Sequence, residues 1–366
     1  MKMIDQHRAS RRLLVVMPSW VGDTVMATPT MRALRDLYPS AKITALVRNS
    51  VRPVLDACPW IDGMVVSRGD RRRRGRHKDK SQAGNGTFSL ARQLKAKRFD
   101  TAVLLPNSFR SALTVMLLGI PRRVGYDRDG RGFLLTDRLL PRRDRGAFIP
   151  VPMLDYYLGL ARYLGATDVD PTMQLATRPE DDATVDRLLA SQGHRRDRNP
   201  LVLIVPGASY GSAKMWLAER FAQVADRCVR ELSATVAVGG SPRERNILDQ
   251  VTGCARERII DLTKLGIDLT LFKSVVKCSR LVVTNDTGPR HIAAAMKVPV
   301  ITIFGPTDPA WTQINFPDER QVMVEVECGP CQLKNCPLDH RCMKQIEPDM
   351  VMNKAIELMA LTGVKS

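Results

Sequence analysis

The sequence predicts an α/β protein made of two doubly wound, Rossmann-like domains, and three stretches carry that expectation. Residues 281–306, LVVTNDTGPRHIAAAMKVPVITIFGP, read as strand, sharp polar turn, helix and strand. Leu281, Val282 and Val283 form one apolar run, residues 298–304 form a second rich in β-branched side chains, and Pro289 is placed to open the helix between them. Residues 13–47 show the same order: a strand at 13–17, the turn PSWVGD, a helix opened by Thr28 and Pro29 with Met31, Leu34 and Leu37 on one face, and a strand at 43–47. Residues 201–238 repeat it, with a strand at 201–205, a small-residue loop at 206–214, a helix at 217–232 and a strand at 235–238 that ends in Gly239, Gly240 and Ser241. Strand, loop, helix, strand implies parallel pairing. Two domains facing each other across a cleft are the simplest architecture for such a repeat.

The length of 366 residues fits two ordinary domains, and 44% hydrophobic residues let each bury a core. The expected division is residues 1–175, 176–347 and a last helix at 348–361 within 348–366. No run approaches the ~18 apolar residues that would span a bilayer. The apolar stretch at 13–17 is too short for a signal peptide and ends at Pro18, so the expected location is cytoplasmic. The net charge of +18 is uneven: residues 1–175 hold 31 Lys and Arg against 15 Asp and no Glu, while the remainder carries only +2. One half therefore faces an anionic partner: nucleic acid, a membrane surface or an acidic polymeric substrate.

Between the repeats, residues 68–87 lack hydrophobic periodicity, and residues 68–80 carry eight Lys or Arg with two Asp. They read as an inserted solvated loop or as an arm attracted to anionic lipid or nucleic acid. Interleaved aromatics, which would favour single-stranded nucleic acid, are missing. A helix at 88–97 and a strand at 101–105 follow, closing on Pro106, Asn107, Ser108, Phe109 and Arg110, with a buried helix expected at 111–119. Arg122, Arg123, Gly125, Tyr126, Asp127, Arg128 and Arg131 then read as a basic loop beyond the sheet, suited to phosphates or carboxylates or else a plain surface connection. An amphipathic helix at 153–164, a polar connector at 165–177 and a helix at 180–192 complete the first half and lead into the second.

The candidate chemistry sits at strand-to-helix turns, because ligands of open α/β sheets bind at the carboxyl edge and a helix N-terminus there offers N–H groups to a phosphate. Asn285, Asp286, Thr287 and Gly288 occupy such a turn, where Asp286 or Thr287 could equally be a plain N-cap. Asp23 lies in the first such turn. It is a carboxylate held in a glycine-containing loop if the helix starts at Pro29, and an N-cap if the helix starts at Thr24. Lys214 ends a loop containing Ser209, which is neither a P-loop nor GxGxxG; a lysine there can neutralise a diphosphate or be a solvated surface residue. Four of the eight cysteines, Cys328, Cys331, Cys336 and Cys342, form C-x2-C-x4-C-x5-C with His340 nearby. That spacing admits a structural zinc, a disulfide pair or free thiols.

Several segments together resemble the ADP-heptose:lipopolysaccharide heptosyltransferases of glycosyltransferase family 9, most of all the heptosyltransferase II branch. They are VVMPSWVGDTVMATPTMRALRDLYP, LLPNSFRSAL, GIPRRVGY, PGASYGSAKMW, TNDTGPRHIAAAMKVPVITIFGPTDPAW and CGPC…CPLDHRCM, in register along nearly the whole chain. The insertion at 68–87 has no counterpart. The resemblance implies a GT-B fold with an N-terminal acceptor domain, a C-terminal donor domain and a last helix that crosses back to the first domain. It implies Asp23 as general base and Lys214 as the lysine near the donor diphosphate. Asp286, Thr287, Gly288 and His291 then form the donor loop, with Ser209, Gly239 and Ser241 as further donor contacts. Asn107, Ser108, Arg110 and Arg128 fall to the acceptor. Pro242 stands roughly where heptosyltransferase I has an acidic residue that helps hold the nucleoside, and Arg290 stands where smaller residues are usual.

The implied reaction displaces ADP from an anomeric carbon by an acceptor hydroxyl, which needs a base for the hydroxyl proton and positive charge for the departing diphosphate. One base without a second nucleophile makes it an inverting single displacement. No DxD pair ends a strand, so no catalytic cofactor is expected beside the possible structural zinc. The expected partners are ADP-heptose, an anionic lipid A-core acceptor and, by electrostatics, the cytoplasmic face of the inner membrane, with the protein peripheral there. The competing readings are another GT-B transferase using a different nucleotide sugar or acidic acceptor, and a basic nucleic-acid-binding module. The last rests on charge alone, and no nucleic acid is expected.

Overall fold

Short β-branched runs buried on both faces build each half of the chain. The computed structural model describes residues 10–67 and 94–363, so the basic insertion at 68–87 and most of the helix expected at 88–97 lie outside the described residues. The chain divides into two units, Met1–Thr172 and Met173–Ser366.

In the first unit, strands β1 (Arg12–Val16), β2 (Lys42–Arg48), β3 (Gly63–Ser67), β4 (Thr101–Leu104), β5 (Arg122–Tyr126) and β6 (Asp137–Leu139) form one parallel sheet in the order β3-β2-β1-β4-β5-β6. Leu13, Leu14 and Val15 of the central strand are fully buried, as expected of a parallel strand covered on both faces. Helices α1 (Val21–Met26), α2 (Thr28–Leu37), α3 (Phe109–Leu117) and α4 (Met153–Leu164) and the hairpin β7–β8 (Arg143–Asp144, Ala147–Phe148) complete the unit. One face of its sheet packs a cluster that includes Leu14, Leu104, Ala112, Val115 and Leu118.

Two expectations are corrected here. Arg122–Tyr126 is a strand of the sheet and not a loop; the alternation that hides Val124 and leaves the Arg122 and Arg123 side chains part-buried made it read as polar. Helix α3 is not buried all round, because Phe109, Met116 and Leu117 are exposed while Ala112, Thr114 and Val115 face the core.

The second unit repeats the plan. Strands β9 (Leu201–Val205), β10 (Thr235–Val238), β11 (Ile259–Asp261), β12 (Leu281–Asn285), β13 (Val300–Ile303) and β14 (Glu319–Val322) pair in parallel in the order β11-β10-β9-β12-β13-β14. The helices are α5 (Pro179–Ser191), α6 (Ala218–Leu232), α7 (Arg245–Cys254), α8 (Leu269–Cys278), α9 (Gly288–Ala295), α10 (Arg341–Lys344) and α11 (Pro348–Gly363).

The last helix packs within the second unit, where Val351, Met352, Ala355 and Leu358 lie in the same core as Trp216, Phe221 and Ile301. Arg320 adds an ion pair to Glu357 at 2.7 Å, while Ile356 and Leu361 remain exposed. Among the described residues no helix is long and apolar enough to cross a membrane.

Both sheets reverse direction of growth next to their central strand, between β1 and β4 and between β9 and β12. A crevice opens at such a switch point beyond the carboxyl ends of the strands. The segments that follow β1, β4, β9 and β12 carry Asp23, within α1, and Asn107, Lys214 and Asp286.

Candidate active site

In the second unit, the turn after β12 is knitted to the loop after β9 by side chains of the strand end itself. The Asn285 amide donates to the Pro206 carbonyl at 2.7 Å and accepts from the Trp216 N–H at 3.2 Å, and the Thr284 hydroxyl donates to the Val205 carbonyl at 3.1 Å. Lys214 thereby comes against Asp286. Its ammonium donates to Asp286 Oδ2 at 2.6 Å and to the Asp286 carbonyl at 3.0 Å, with both side chains nearly buried. Asp286 Oδ2 also accepts from the Thr307 hydroxyl at 2.9 Å, and Oδ1 from Arg290 at 3.2 Å.

Behind this pair, Arg290 is fully buried and forms a two-point ion pair with Glu319 at 2.5 and 3.0 Å, and the Thr302 hydroxyl donates to Glu319 at 2.7 Å. Burial is the largest single influence on the Asp286 carboxyl and pushes it up. The Lys214 and Arg290 charges and the Lys214 hydrogen bond outweigh it and hold the group below the usual carboxylate range.

The N-cap reading of this turn fails on geometry: Thr287 is the N-cap residue, but no side chain bonds the first N–H groups, and the Asp286 carboxylate turns inward to the two cations. At the N-terminus of α9, Pro289 has no N–H and the Arg290 N–H bonds the Thr287 carbonyl at 3.2 Å; no side chain caps the turn, and the positive end of the helix faces the loop at Gly288. His291 is buried beneath it. Burial, then Arg290, lowers its pKa to about 3, so the imidazole is neutral.

The remaining donor candidates divide. Ser209 is exposed at the mouth of the loop. Gly239 is packed closely, since a Cβ there would lie 3.1 Å from Leu262 and 3.3 Å from Phe272. The Ser241 N–H and hydroxyl each bond the Glu244 carboxylate at 2.7 Å, and a Cβ on Gly207 would strike that carboxylate at 2.3 Å. The fold thus places a carboxylate, that of Glu244, beside Gly207 two residues past Pro242. Sequence reasoning passed over it, although Ser-x-x-Glu is a capping-box spacing and the box is formed. Glu319 was also missed, since only the fold brings β14 beside α9.

The cysteine segment is corrected. Cys328, Cys331, Cys336 and Cys342 are free thiols, and among the described residues no group of three or more His, Cys, Asp or Glu side chains is placed to hold a metal. A zinc does not fit, because the segment is committed elsewhere. His340 Nε2 bonds the Ala213 carbonyl at 2.8 Å, Cys342 is buried beside Met343 in the core, and the Lys334 carbonyl accepts from the Ala213 N–H at 3.0 Å. The segment is a backing for the Lys214 loop. Tyr210, whose ring lies 5.1 Å from the Lys214 ammonium, donates its hydroxyl to the Gln332 carbonyl at 2.9 Å. Gly211 is required there, since a Cβ would come within 2.2 Å of the Lys334 carbonyl oxygen.

In the first unit, Asp23 is in neither of the two expected settings. Helix α1 starts at Val21 with Trp20 as N-cap, so Asp23 is a half-buried acidic residue of its first turn, where the helix dipole favours a negative charge. It stands close enough to the buried Tyr157 to raise that phenol further, after the larger effect of burial.

Beyond β4, Asn107 Oδ1 accepts from the Tyr156 hydroxyl at 3.0 Å and from Arg131 at 3.2 Å. Arg131 is fully buried and also donates to the carbonyls of Pro106 and Tyr126, and burial lowers it to about 10. Ser108 is the N-cap of α3, accepting from the Ser111 N–H at 3.4 Å. Arg110 is exposed, and the Arg128 guanidinium lies over the Phe148 ring at 4.0 Å. The structure thus gathers Asp23, Asn107, Ser108, Arg110 and Arg128 along one sheet edge, and Lys214, Asp286, Thr287 and Gly288 along the other.

A pair of Rossmann-like sheets with cation-bearing, helix-opening turns at a switch point is the plan of a nucleotide-dependent α/β transferase. The family model of glycosyltransferase family 9 (heptosyltransferase) matches residues 87–341, and the chain belongs to that family. It is a glycosyltransferase. Among similar proteins, lipooligosaccharide heptosyltransferase 2 of Haemophilus influenzae is 26% identical over 365 residues, covering 95% of this chain and 99% of that one. Lipopolysaccharide heptosyltransferase 2 of Escherichia coli is 29% identical over 322 residues, covering 82% and 84%. The structure of E. coli ADP-heptose lps heptosyltransferase II superimposes with a TM-score of 0.78 at 24% identity, covering 96% of this chain and 99% of that one. The GT-B fold implied by the sequence motifs is the fold this likeness shows.

Proposed function

We propose that the protein is an inverting heptosyltransferase that moves heptose from ADP-heptose to the inner core of lipopolysaccharide, adding the second heptose to the first. The observation that carries the reading is the Lys214–Asp286 pair at 2.6 Å beneath the open N-terminus of α9. It supplies a desolvated cation beside the positive end of a helix that no side chain caps, which is what a leaving diphosphate requires. The names of the similar heptosyltransferase 2 proteins support the sugar and the acceptor.

In the reaction, an acceptor hydroxyl attacks the anomeric carbon as the bond to the diphosphate oxygen breaks. The hydroxyl proton passes to the Asp23 carboxylate, and ADP leaves with the bonding electron pair, its growing charge met by Lys214 and by the positive end of α9 at Gly288. In this reading Glu244, held by Ser241 against Gly207, hydrogen-bonds the nucleoside, and Arg110 and Arg128 meet acidic groups of the lipid A-core acceptor. The first unit is then the acceptor side and the second the donor side. The surplus of basic residues in 1–175 supports a peripheral place at the inner face of the inner membrane.

The test is a transfer assay with ADP-heptose and a core acceptor ending in one heptose, followed by mass and anomeric analysis. One added heptose with inverted configuration supports the reading; transfer from UDP- or ADP-glucose with none from ADP-heptose overturns it.

A further inference from the structure

The first unit carries a second feature at the carboxyl edge of its sheet, beside the acceptor candidates. Large apolar side chains stand in solvent there: Phe133 is 74% and Leu140 77% exposed, and Phe109 is 44% exposed with its ring 6.0 Å from that of Phe133. They are fixed and not incidental. The buried Arg131 clamps the loop after β4 to the loop after β5, which brings Phe109 and Phe133 together. Leu140 follows β6, whose last residue accepts from the Asp127 N–H at 2.8 Å and so belongs to the same edge.

The hairpin β7–β8 closes over this edge, since Arg128 and Arg143 both lie over the Phe148 ring, at 4.0 and 4.4 Å. Its outward residues are basic: Arg142, Arg143 and Arg145 are exposed, as is Arg138 on β6, against exposed Asp129 and Asp144. Exposed aromatic and aliphatic tips ringed by arginines match an anionic lipid surface, whose headgroups meet the guanidinium groups while the apolar tips enter the acyl boundary.

We infer that this rim, Phe109, Phe133 and Leu140 with the arginines of the β7–β8 hairpin, docks the protein on a membrane of anionic lipid. The inference rests on the heptosyltransferase reading for its biological sense, because a lipid-anchored acceptor must be met at a bilayer. Its geometry does not depend on the donor. It also differs from attraction by the basic segment at 68–87, since it needs apolar side chains as well as charge.

The test is flotation of the full chain with vesicles of phosphatidylcholine alone and of phosphatidylcholine with phosphatidylglycerol, at low and high salt. The wild type is expected to float with the anionic vesicles and not the neutral ones. Phe133→Ser/Leu140→Ser is expected to lose about tenfold or more in partitioning, because two apolar insertions are removed. Arg142→Glu/Arg145→Glu is expected to lose binding in step with its charge. Vesicle binding by both variants equal to wild type overturns the proposal and assigns membrane attraction to another segment. Loss in the arginine variant alone reduces the rim to charge attraction and also overturns it. Binding to a single-stranded oligonucleotide in preference to vesicles overturns it in favour of nucleic acid. Calorimetric binding of ADP-heptose by the same preparations separates the two readings. Donor binding without flotation removes only the rim, and flotation without donor binding removes only the heptosyltransferase.

Discussion

The Lys214 ammonium rests 2.6 Å from the Asp286 carboxylate, with the lysine side chain 11% and the aspartate 4% exposed. A diphosphate arriving at α9 must compete with Asp286 for this cation, while Arg290 at 3.2 Å keeps Asp286 paired whichever partner Lys214 takes. In the proposed reaction the lysine is therefore held where the charge would develop.

Replacing it should weaken donor binding. Lys214→Met removes a charge-assisted contact worth ~1.5–3 kcal/mol, so the affinity for ADP-sugar should fall about tenfold to a hundredfold. Calorimetric titration reads this directly, and an unchanged Kd would place the diphosphate elsewhere.

Arg290 and Glu319 are a buried pair, and breaking one partner leaves the other uncompensated. Glu319→Gln should cost about 3 kcal/mol of stability or more, while Arg290→Met/Glu319→Leu should recover much of that loss. Thermal unfolding of the three proteins compares them; a double variant less stable than the single one would show that the pair does more than support Asp286.

His291 gives a pH dependence of definite sign. Its pKa is lowered to about 3 in the folded chain from an ordinary value near 6.5, first by burial and then by Arg290. Above pH 6.5 neither folded nor unfolded chain carries this proton, and the group has no effect. As pH falls below 6.5 the unfolded chain takes it up first, so stability declines towards pH 3, by about 2 kcal/mol between pH 7 and 5. Denaturant unfolding of wild type and His291→Phe over that range should show a flatter profile for the variant. Parallel profiles would mean that the imidazole ionises normally.

Asp23 sits in the first turn of α1 but is not its N-cap, so the proposed role as base does not rest on capping. Asp23→Asn should lower the transfer rate by about 10²–10⁴. Donor affinity should stay unchanged, because Asp23 serves the acceptor hydroxyl in this reading. A large loss of stability with a proportionate loss of activity would contradict the catalytic role.

Much of this was readable in the sequence wherever local pattern decides. The strands at 13–17, 201–205 and 281–285 are apolar runs ended by turn residues, and the switch-point turns could be placed from them alone. What could not be read was long-range. Glu319 joins Arg290 only because β14 pairs β13. The apolar residues of the last helix do not name their partner in the sequence, and in the structure Val351, Met352, Ala355 and Leu358 share a core with Trp216 and Phe221. The cysteine spacing suggested a metal because spacing does not reveal that His340 and Lys334 are bonded to Ala213. Arg122–Tyr126 hid as a strand because two arginines open it and leave only Val124 and Gly125 buried. Glu244 is not legible as a site residue because only the folded capping box at Ser241 turns its carboxylate toward Gly207.

The central claim is donor identity, and isothermal titration with ADP-heptose, ADP-glucose and UDP-glucose side by side tests it without the lipid acceptor. The account predicts tight binding of ADP-heptose, weaker binding of ADP-glucose and none of UDP-glucose. Equal or tighter binding of UDP-glucose would contradict it, leaving the fold and the Lys214–Asp286 site in the service of another nucleotide sugar.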